Sequence, residues 1–399
     1  MSQVYQLLMP SRILYGRGAF NEIGNQARLL GNKVLIISDP VMEKLGNVAI
    51  CEEHLRKKAL PFAKYTGVDT EPTDIHVKEA LEVCRQEQCD VIVAIGGGSS
   101  IDTAKAVAVM MTNEGTISDY VDNVKPFANK PLPLIAVPTT AGTGSEVTKV
   151  TVIIDTQTDV KMMISQPELL PAVAIVDPLL TASCPPSVTA ATGIDALCHA
   201  IEAYISRRTH PVTDVLALSA IEAIMGNLRQ AYENGNDMVA REKMAIGAMV
   251  AGAAFSNASV TLVHGMSRPI GALFHVPHGV SNAMLLPGVL EFTKESAVEK
   301  LAVISRLIKP ELKNASDEEA ADALILEVKQ LCLDLHIPNM KTWGIEKEQF
   351  DKAVDKMAAD ALASGSPGNN PRVPTHEEIV QLYHVCYDYD FRSTHSISF

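Results

Sequence analysis

Four side chains with metal-binding chemistry stand in three short blocks of the sequence. In Thr192-Gly193-Ile194-Asp195-Ala196-Leu197-Cys198-His199-Ala200-Ile201-Glu202, Asp195 and His199 are four residues apart. On a helix that spacing puts both on one face, within reach of a shared ion. Val263-His264-Gly265-Met266 supplies a second imidazole and Val276-Pro277-His278-Gly279 a third. One carboxylate and three imidazoles from separate elements could complete a divalent site. A nitrogen and oxygen set without thiolate suits Fe²⁺ or Zn²⁺. Any one of these histidines is explained as well by a hydrogen-bonded place in the core. The four together, in apolar surroundings, favour the metal. Spacing alone leaves His275, Glu202 and Asp177 open as further candidates.

A second kind of chemistry lies upstream. Ile95-Gly96-Gly97-Gly98-Ser99-Ser100-Ile101-Asp102-Thr103-Ala104-Lys105 follows an apolar strand pattern and opens a helical one. Three glycines let the backbone approach a ligand with no Cβ in the way. The N-terminus of the following helix offers N–H groups and partial positive charge to a pyrophosphate. Ser99 or Ser100 is the expected cap of that helix. The bland alternative is a tight strand-to-helix turn that needs glycine for geometry alone. Asp39 ends an earlier strand pattern, where a carboxylate could hold the ribose hydroxyls of an adenosine and repel a 2′-phosphate, favouring NAD over NADP. An ordinary Asp39-Pro40 turn explains it equally well. Pro138-Thr139-Thr140-Ala141-Gly142-Thr143-Gly144-Ser145-Glu146 packs hydroxyls and small residues densely enough to line a nucleotide or carbonyl site.

The elements that must position these residues differ between the two halves. Up to about residue 180, the apolar runs 33–39, 91–95, 133–138 and 172–177 alternate with helical patterns. Near-continuous apolar strands separated by helices point to a parallel sheet covered on both faces. Beyond Cys184-Pro185-Pro186-Ser187 the strand runs stop, and helix-period segments follow at 189–206, 213–227 and 241–255. The expected organisation is an α/β dinucleotide-binding domain over 1–183 and an all-helical metal-binding and substrate domain over 184–399. Active sites commonly lie in the cleft of such a pair.

Composition narrows the function classes. In 399 residues, 47% are hydrophobic and 20% charged, which suits a large buried core. A formal net charge of −13 argues against nucleic acid as a partner. Seven cysteines with no Cys-x-x-Cys pair fit reduced thiols in the cytoplasm. The N-terminus shows no signal-peptide pattern. The apolar stretch 244–255 is too short to span a bilayer and fits a closely packed core helix.

The motifs Gly-Gly-Gly-Ser-x-x-Asp-x-Ala-Lys, Thr-Thr-Ala-Gly-Thr, Ala-Thr-Gly-x-Asp-Ala-x-x-His-Ala-x-Glu and His-Gly-Met…Pro-His-Gly occur in order from about Pro10 to Tyr387. In this the chain resembles the iron-containing (group III) alcohol dehydrogenase family. The resemblance implies a dehydroquinate-synthase-like α/β domain with a parallel sheet, followed by a helical metal domain. It puts the metal ligands on Asp195, His199, His264 and His278. It puts cofactor contacts on Asp39, Gly97, Gly98, Ser99, Asp102, Thr139, Thr140, Thr143 and Lys161. It further implies NAD, Fe²⁺ or Zn²⁺, a small alcohol or aldehyde substrate and a homodimer or larger assembly.

One position departs from the family pattern. Many members carry His-Gly-Met-x-His, and here the second histidine is Arg268, in His264-Gly265-Met266-Ser267-Arg268. Arginine stays charged and cannot cycle a proton near neutrality. Either Arg268 only orients a group while His275 moves the proton, or Arg268 grips a substrate carboxylate, or it is salt-bridged at a contact. The expected activity is metal-dependent hydride transfer between NAD(H) and a primary alcohol or aldehyde. The alternatives are a hydroxy-acid or diol oxidoreductase and a non-redox lyase on the same scaffold. Mostly apolar residues near the expected pocket, among them Phe255 and Leu262, favour aliphatic substrates over polyols.

Overall fold

The computed structural model of the chain describes residues 4–158 and 160–394. They fall into two units: Leu7–Cys184, and a second that runs on from Pro185 and takes in the residues up to Gln6.

The first unit is built on strands β1 (Arg12–Tyr15), β2 (Val34–Ser38), β3 (Phe62–Tyr65), β4 (Val91–Gly96), β5 (Leu134–Pro138), β6 (Val150–Asp155), β7 (Val160–Ser165) and β8 (Val173–Val176). Six of them form one sheet in the order β1-β8-β5-β4-β2-β3, and every neighbouring pair is parallel. The four apolar runs of the sequence are its interior strands, buried along their whole length. Their side chains alternate between two cores. Val34, Ile36, Val91, Val93 and Ile95 join one, while Leu35, Ile37, Ile92 and Ala94 join the other. A strand buried on both faces has no polar side to show, which is why it reads as a continuous apolar run.

The edge strands β1 and β3 carry mixed burial and are only four residues long. β6 and β7 form an antiparallel pair outside the main sheet. None of these four stood out in the sequence, because each has a wetter face and a weaker pattern.

The strand order fixes where a ligand can sit. From β2 the chain moves outward to β3, whereas from β4 it moves the other way to β5. The order reverses between β2 and β4, and in open α/β sheets ligands bind past the C-terminal ends of the strands at such a reversal. Asp39 follows β2 directly and Gly97 follows β4. Ser38 is in register with Ile95, and its Oγ donates to the Ile95 carbonyl at 2.6 Å.

The second unit is helical, with no strand among its described residues. The three expected helices are Pro186–Ile205, Pro211–Glu233 and Met238–Ala258, each starting two or three residues earlier than expected, the last two also running further at the C-terminal end. Pro186 and Pro211 occupy first helical positions, where a missing N–H costs nothing. Pro211–Glu233 is long and apolar enough to cross a membrane by length and composition. Its buried face, with Ala217, Ile221, Ile224 and Leu228, packs against the neighbouring helices of the same unit. After Met238–Ala258 the chain turns by 103° into Leu262–Phe274. Ser259 takes φ +99 in that turn, a strained value for a residue with a side chain. His278–Thr293 then follows, and Gly279 lies so near the Pro186–Ile205 helix that a Cβ there would stand 2.4 Å from the Ala191 carbonyl oxygen.

Gly96 is the tightest point of the glycine loop. Its φ is +153, and a Cβ would meet Ser100 Oγ at 2.4 Å and Asp39 Oδ2 at 2.9 Å. Gly96→Ala should therefore lower stability by about 1–3 kcal/mol, seen as a lower urea midpoint. An unchanged midpoint would mean that the loop backbone relaxes freely.

Candidate functional site

In the helical unit, the turn-to-turn spacing on Pro186–Ile205 puts Asp195 and His199 on one face, as expected. The sharp turn at Ser259 brings His264 to them from the next helix. One donor atom each from Asp195, His199 and His264 lies within 4.8 Å of the other two, and all three residues are buried. His264 Nε2 stands 3.5 Å from Asp195 Oδ1, and His199 Nε2 stands 4.0 Å from it. His278 arrives at the start of its own helix, with Nε2 3.9 Å from the same oxygen and its side chain 35% exposed. The donors of a tetrahedral ion at about 2.1 Å stand about 3.4 Å apart. Asp195, His199 and His264 fit a divalent ion in donor chemistry and in spacing, and His278 stands beside Asp195 at the open side.

Packing holds the rings in place. His199 stacks between Phe255 (4.2 Å between centroids) and His264 (4.4 Å). Asn282, one turn beyond His278, donates from Nδ2 to Asp195 Oδ1 at 2.7 Å, and that amide nitrogen lies 3.2 and 3.3 Å from Nε2 of His264 and His278. Burial works against the charge of Asp195, but the facing imidazoles outweigh it and hold the carboxyl well below its usual range. Burial pushes the neighbouring Cys198 thiol well up, so it remains protonated and is no thiolate ligand.

Glu202, three residues beyond His199, is wholly buried and stands outside the donor group. Its Oε1 accepts from Thr261 N (3.1 Å), Thr261 Oγ1 (2.8 Å), Val263 N (2.8 Å) and His264 N (3.4 Å). Its Oε2 accepts from His264 Nδ1.

In the first unit the expected cofactor residues also converge. Gly97 is the N-cap of the Gly98–Met110 helix and makes no side-chain cap bond. Ser99 and Ser100 lie inside the first turn and are not caps, which corrects the expectation for them. Ser100 Oγ instead faces Asp39 Oδ2 at 3.5 Å. The threonine loop packs against the glycines. A Cβ on Gly97 would stand 3.6 Å from Thr140 Oγ1, and one on Gly98 would stand 2.9 Å from Thr143 Cγ2. Thr139 N donates to the Gly96 carbonyl at 3.0 Å. Asp39 Oδ1 also caps the short Pro40–Lys44 helix, accepting from Val41 N and Met42 N at 2.9 Å.

Residues 10–178 match the family model for iron-containing alcohol dehydrogenase, and residues 189–387 match that for the C-terminal part of the Fe-containing alcohol dehydrogenase family. The chain belongs to the iron-containing alcohol dehydrogenase family. A 1,3-propanediol dehydrogenase of Klebsiella pneumoniae is 38% identical over 389 residues, covering 96% of this chain and 99% of the relative. A lactaldehyde reductase of Escherichia coli strain K12 is 38% identical over 385 residues, with 96% and 99% covered. A crystal structure of a 1,3-propanediol oxidoreductase superposes with a TM-score of 0.93 at 38% identity, over 96% of this chain and 100% of that one.

The other residues that the sequence or the family resemblance singled out have the following surroundings. Asp102 is buried, accepting from Ser145 Oγ at 2.6 Å and Val152 N at 2.9 Å. Beside it Lys105 donates to Thr148 Oγ1 and the Val150 carbonyl, and burial draws its amine down to about 8. Lys161 pairs with Glu71 at 2.8 Å. Asp177 caps the Pro178–Thr181 turn and accepts from Phe20 N. Arg268 sits one turn beyond His264 on the same helix, where burial lowers its basicity against the pull of Glu202. His275 is exposed and ends that helix in the left-handed conformation, φ 54. Sequence reasoning missed what Glu202 and Asn282 do. The available signal was spacing, since Glu202 lies three residues after His199 and Asn282 four after His278.

Burial opposes the charge of His264, but Glu202 and Asp195 override it and raise the imidazole to about 9. An ion bound at Nε2 has to displace a proton held up to that pH. The folded value lies above the ordinary one of about 6.5. Metal affinity should therefore rise with pH between 7 and 9, with about one proton released per ion at the lower end. Titration calorimetry in two buffers of different ionisation enthalpy counts that proton. Metal affinity independent of pH would remove His264 from the ligand set.

Proposed function

We propose that this chain is an NAD-linked, metal-dependent oxidoreductase of primary alcohols and aldehydes. The observation that carries the proposal is the buried convergence of Asp195, His199 and His264 with His278 at its open side. Those four residues would hold Fe²⁺ or Zn²⁺, and the ion supplies a Lewis acid for an alcohol or carbonyl oxygen. One carboxylate against three neutral imidazoles leaves one net positive charge facing that oxygen.

NAD(H) supplies the hydride acceptor or donor. Gly97, Gly98 and Ser99 offer a pyrophosphate the N-terminal N–H groups of a helix with no side-chain cap. Asp39 accepts from ribose hydroxyls and repels a 2′-phosphate. Thr139, Thr140 and Thr143 line the loop opposite the glycines, and Lys161 on β7 adds a cation. Arg268 keeps its charge and orients, and His275 is the residue that moves the proton. The family resemblance supports a homodimer or larger assembly, and the cysteine pattern supports a cytoplasmic location.

The relatives named for a diol and for a hydroxyaldehyde favour short, hydroxylated substrates for this chain as well. A second preference, for hydroxy acids and their aldehydes, is favoured by the half-buried Arg268 on the helix of His264. The deciding assay is NADH oxidation at 340 nm with chelator-stripped protein and with protein reloaded anaerobically with Fe²⁺ or Zn²⁺, against neutral and carboxylated aldehydes. Activity should return only with metal, and comparable turnover with NADPH would sink the role of Asp39. Arg268→Lys should lose activity selectively on the carboxylated aldehydes if the second preference holds. His264→Ala should abolish turnover while NADH binding, followed by fluorescence, stays within about twofold of the parent. Equal loss of both would make His264 a residue of the fold alone.

A further inference from the structure

We propose that Glu202 is a positioning residue that fixes which ring nitrogen of His264 is left for the metal. The role presupposes the metal site proposed above. It rests on the two oxygens of Glu202 facing different partners.

A carboxylate can only accept hydrogen bonds. The ring nitrogen of His264 that meets Oε2 must therefore carry a proton, so when the ring gives up a proton to a metal it is Nδ1 that stays N–H and Nε2 that offers the lone pair. Nε2 is the nitrogen turned toward Asp195 Oδ1. The other oxygen, Oε1, gathers Thr261 N, Thr261 Oγ1, Val263 N and His264 N. Three of these are backbone donors at the start of Leu262–Phe274, whose N-cap Thr261 makes no side-chain cap bond of its own. A helix start otherwise leaves such donors without intrahelical partners. One buried side chain thus ends the 103° turn, anchors the new helix and sets the ring of its third residue.

The two faces of the carboxylate separate in Glu202→Gln. Four donors draw the amide oxygen to the Oε1 side, which preserves the anchoring. The amide NH₂ then faces His264 Nδ1 and can only donate. The ring answers by accepting at Nδ1 and moving its proton to Nε2, which removes the lone pair that a metal needs. A merely structural carboxylate would lose stability and metal affinity together. This one should lose metal affinity with the fold retained.

The experiment is Co²⁺ binding by chelator competition, together with the visible d–d spectrum, on the full chain. Glu202→Gln should bind Co²⁺ about 10–100-fold more weakly than the parent, with a weakened d–d band, unchanged NADH affinity and a urea midpoint near the parental one. Thr261→Val removes one anchoring bond without touching His264. It should lower the urea midpoint while keeping Co²⁺ affinity within about threefold. The role of Glu202 is overturned if Glu202→Gln binds Co²⁺ within threefold of the parent, or if Thr261→Val loses as much affinity at an equal loss of stability. Absence of Co²⁺ binding by the parent would overturn the metal site itself, and Glu202 with it. Should Glu202→Gln not fold, ring-nitrogen NMR of the zinc-loaded parent decides. A proton on Nδ1 of His264 supports the role, and one on Nε2 overturns it.

Discussion

The helical unit is organised by the cost of keeping two carboxylates out of water. An ionised side chain in an apolar interior loses several kcal/mol of hydration unless other groups replace it. Asp195 and Glu202 are both buried on Pro186–Ile205, seven residues apart, and the surrounding structure answers each of them. Asp195 faces three imidazoles and the Asn282 amide, and Glu202 faces a helix start, a hydroxyl and an imidazole. His264 is the shared partner, meeting Glu202 with Nδ1 and turning Nε2 toward Asp195. The sharp turn at Ser259, the close approach of Gly279 to Ala191 and the stacking of Phe255 all serve this arrangement, because each brings a donor element to a fixed anion.

The α/β unit solves its problem with backbone rather than side chains. Parallel pairing places the ends of β2 and β4 beside each other at the reversal of strand order, so the backbone itself brings Asp39 to the glycines, and the Ser38 and Ser100 hydroxyls join the two strand ends. The space there is too small for a Cβ at Gly96 or Gly98. Glycine is a consequence of the sheet topology, and the N-cap of the following helix is left without a side chain of its own. Binding groups made of backbone tolerate little substitution at the glycines and considerable variation around them.

This difference explains what could be read from the sequence. The interior strands, the long helices and the spacing of Asp195 and His199 all follow from local pattern, since burial on two faces or on one helical face repeats within a few residues. The glycine loop was equally legible, being a backbone requirement written directly in residue types. Glu202 was not. Its partners lie about sixty residues away, and only the turn at Ser259 brings them round. Asn282 is hidden in the same way, as an amide in an apolar helix whose meaning depends on Asp195. The edge strands and the β6–β7 hairpin escaped because exposure dilutes the apolar alternation that reveals a strand.

Commitment of a side chain also separates residues that a motif treats alike. Lys161 and Asp102 both fall on positions that the family resemblance assigns to the cofactor. Lys161 is held by an ion pair with Glu71, whose own side chain is 44% exposed. The Lys161 side chain is itself 12% exposed, and a pair with one half-exposed partner is a weaker commitment than a fully buried one. Asp102 is buried with both oxygens engaged, one on the threonine loop at Ser145 and the other on β6 at Val152. Releasing them would strand buried polar groups at about 1–3 kcal/mol each. Asp102 therefore clamps the helix of the glycine loop to the elements around it.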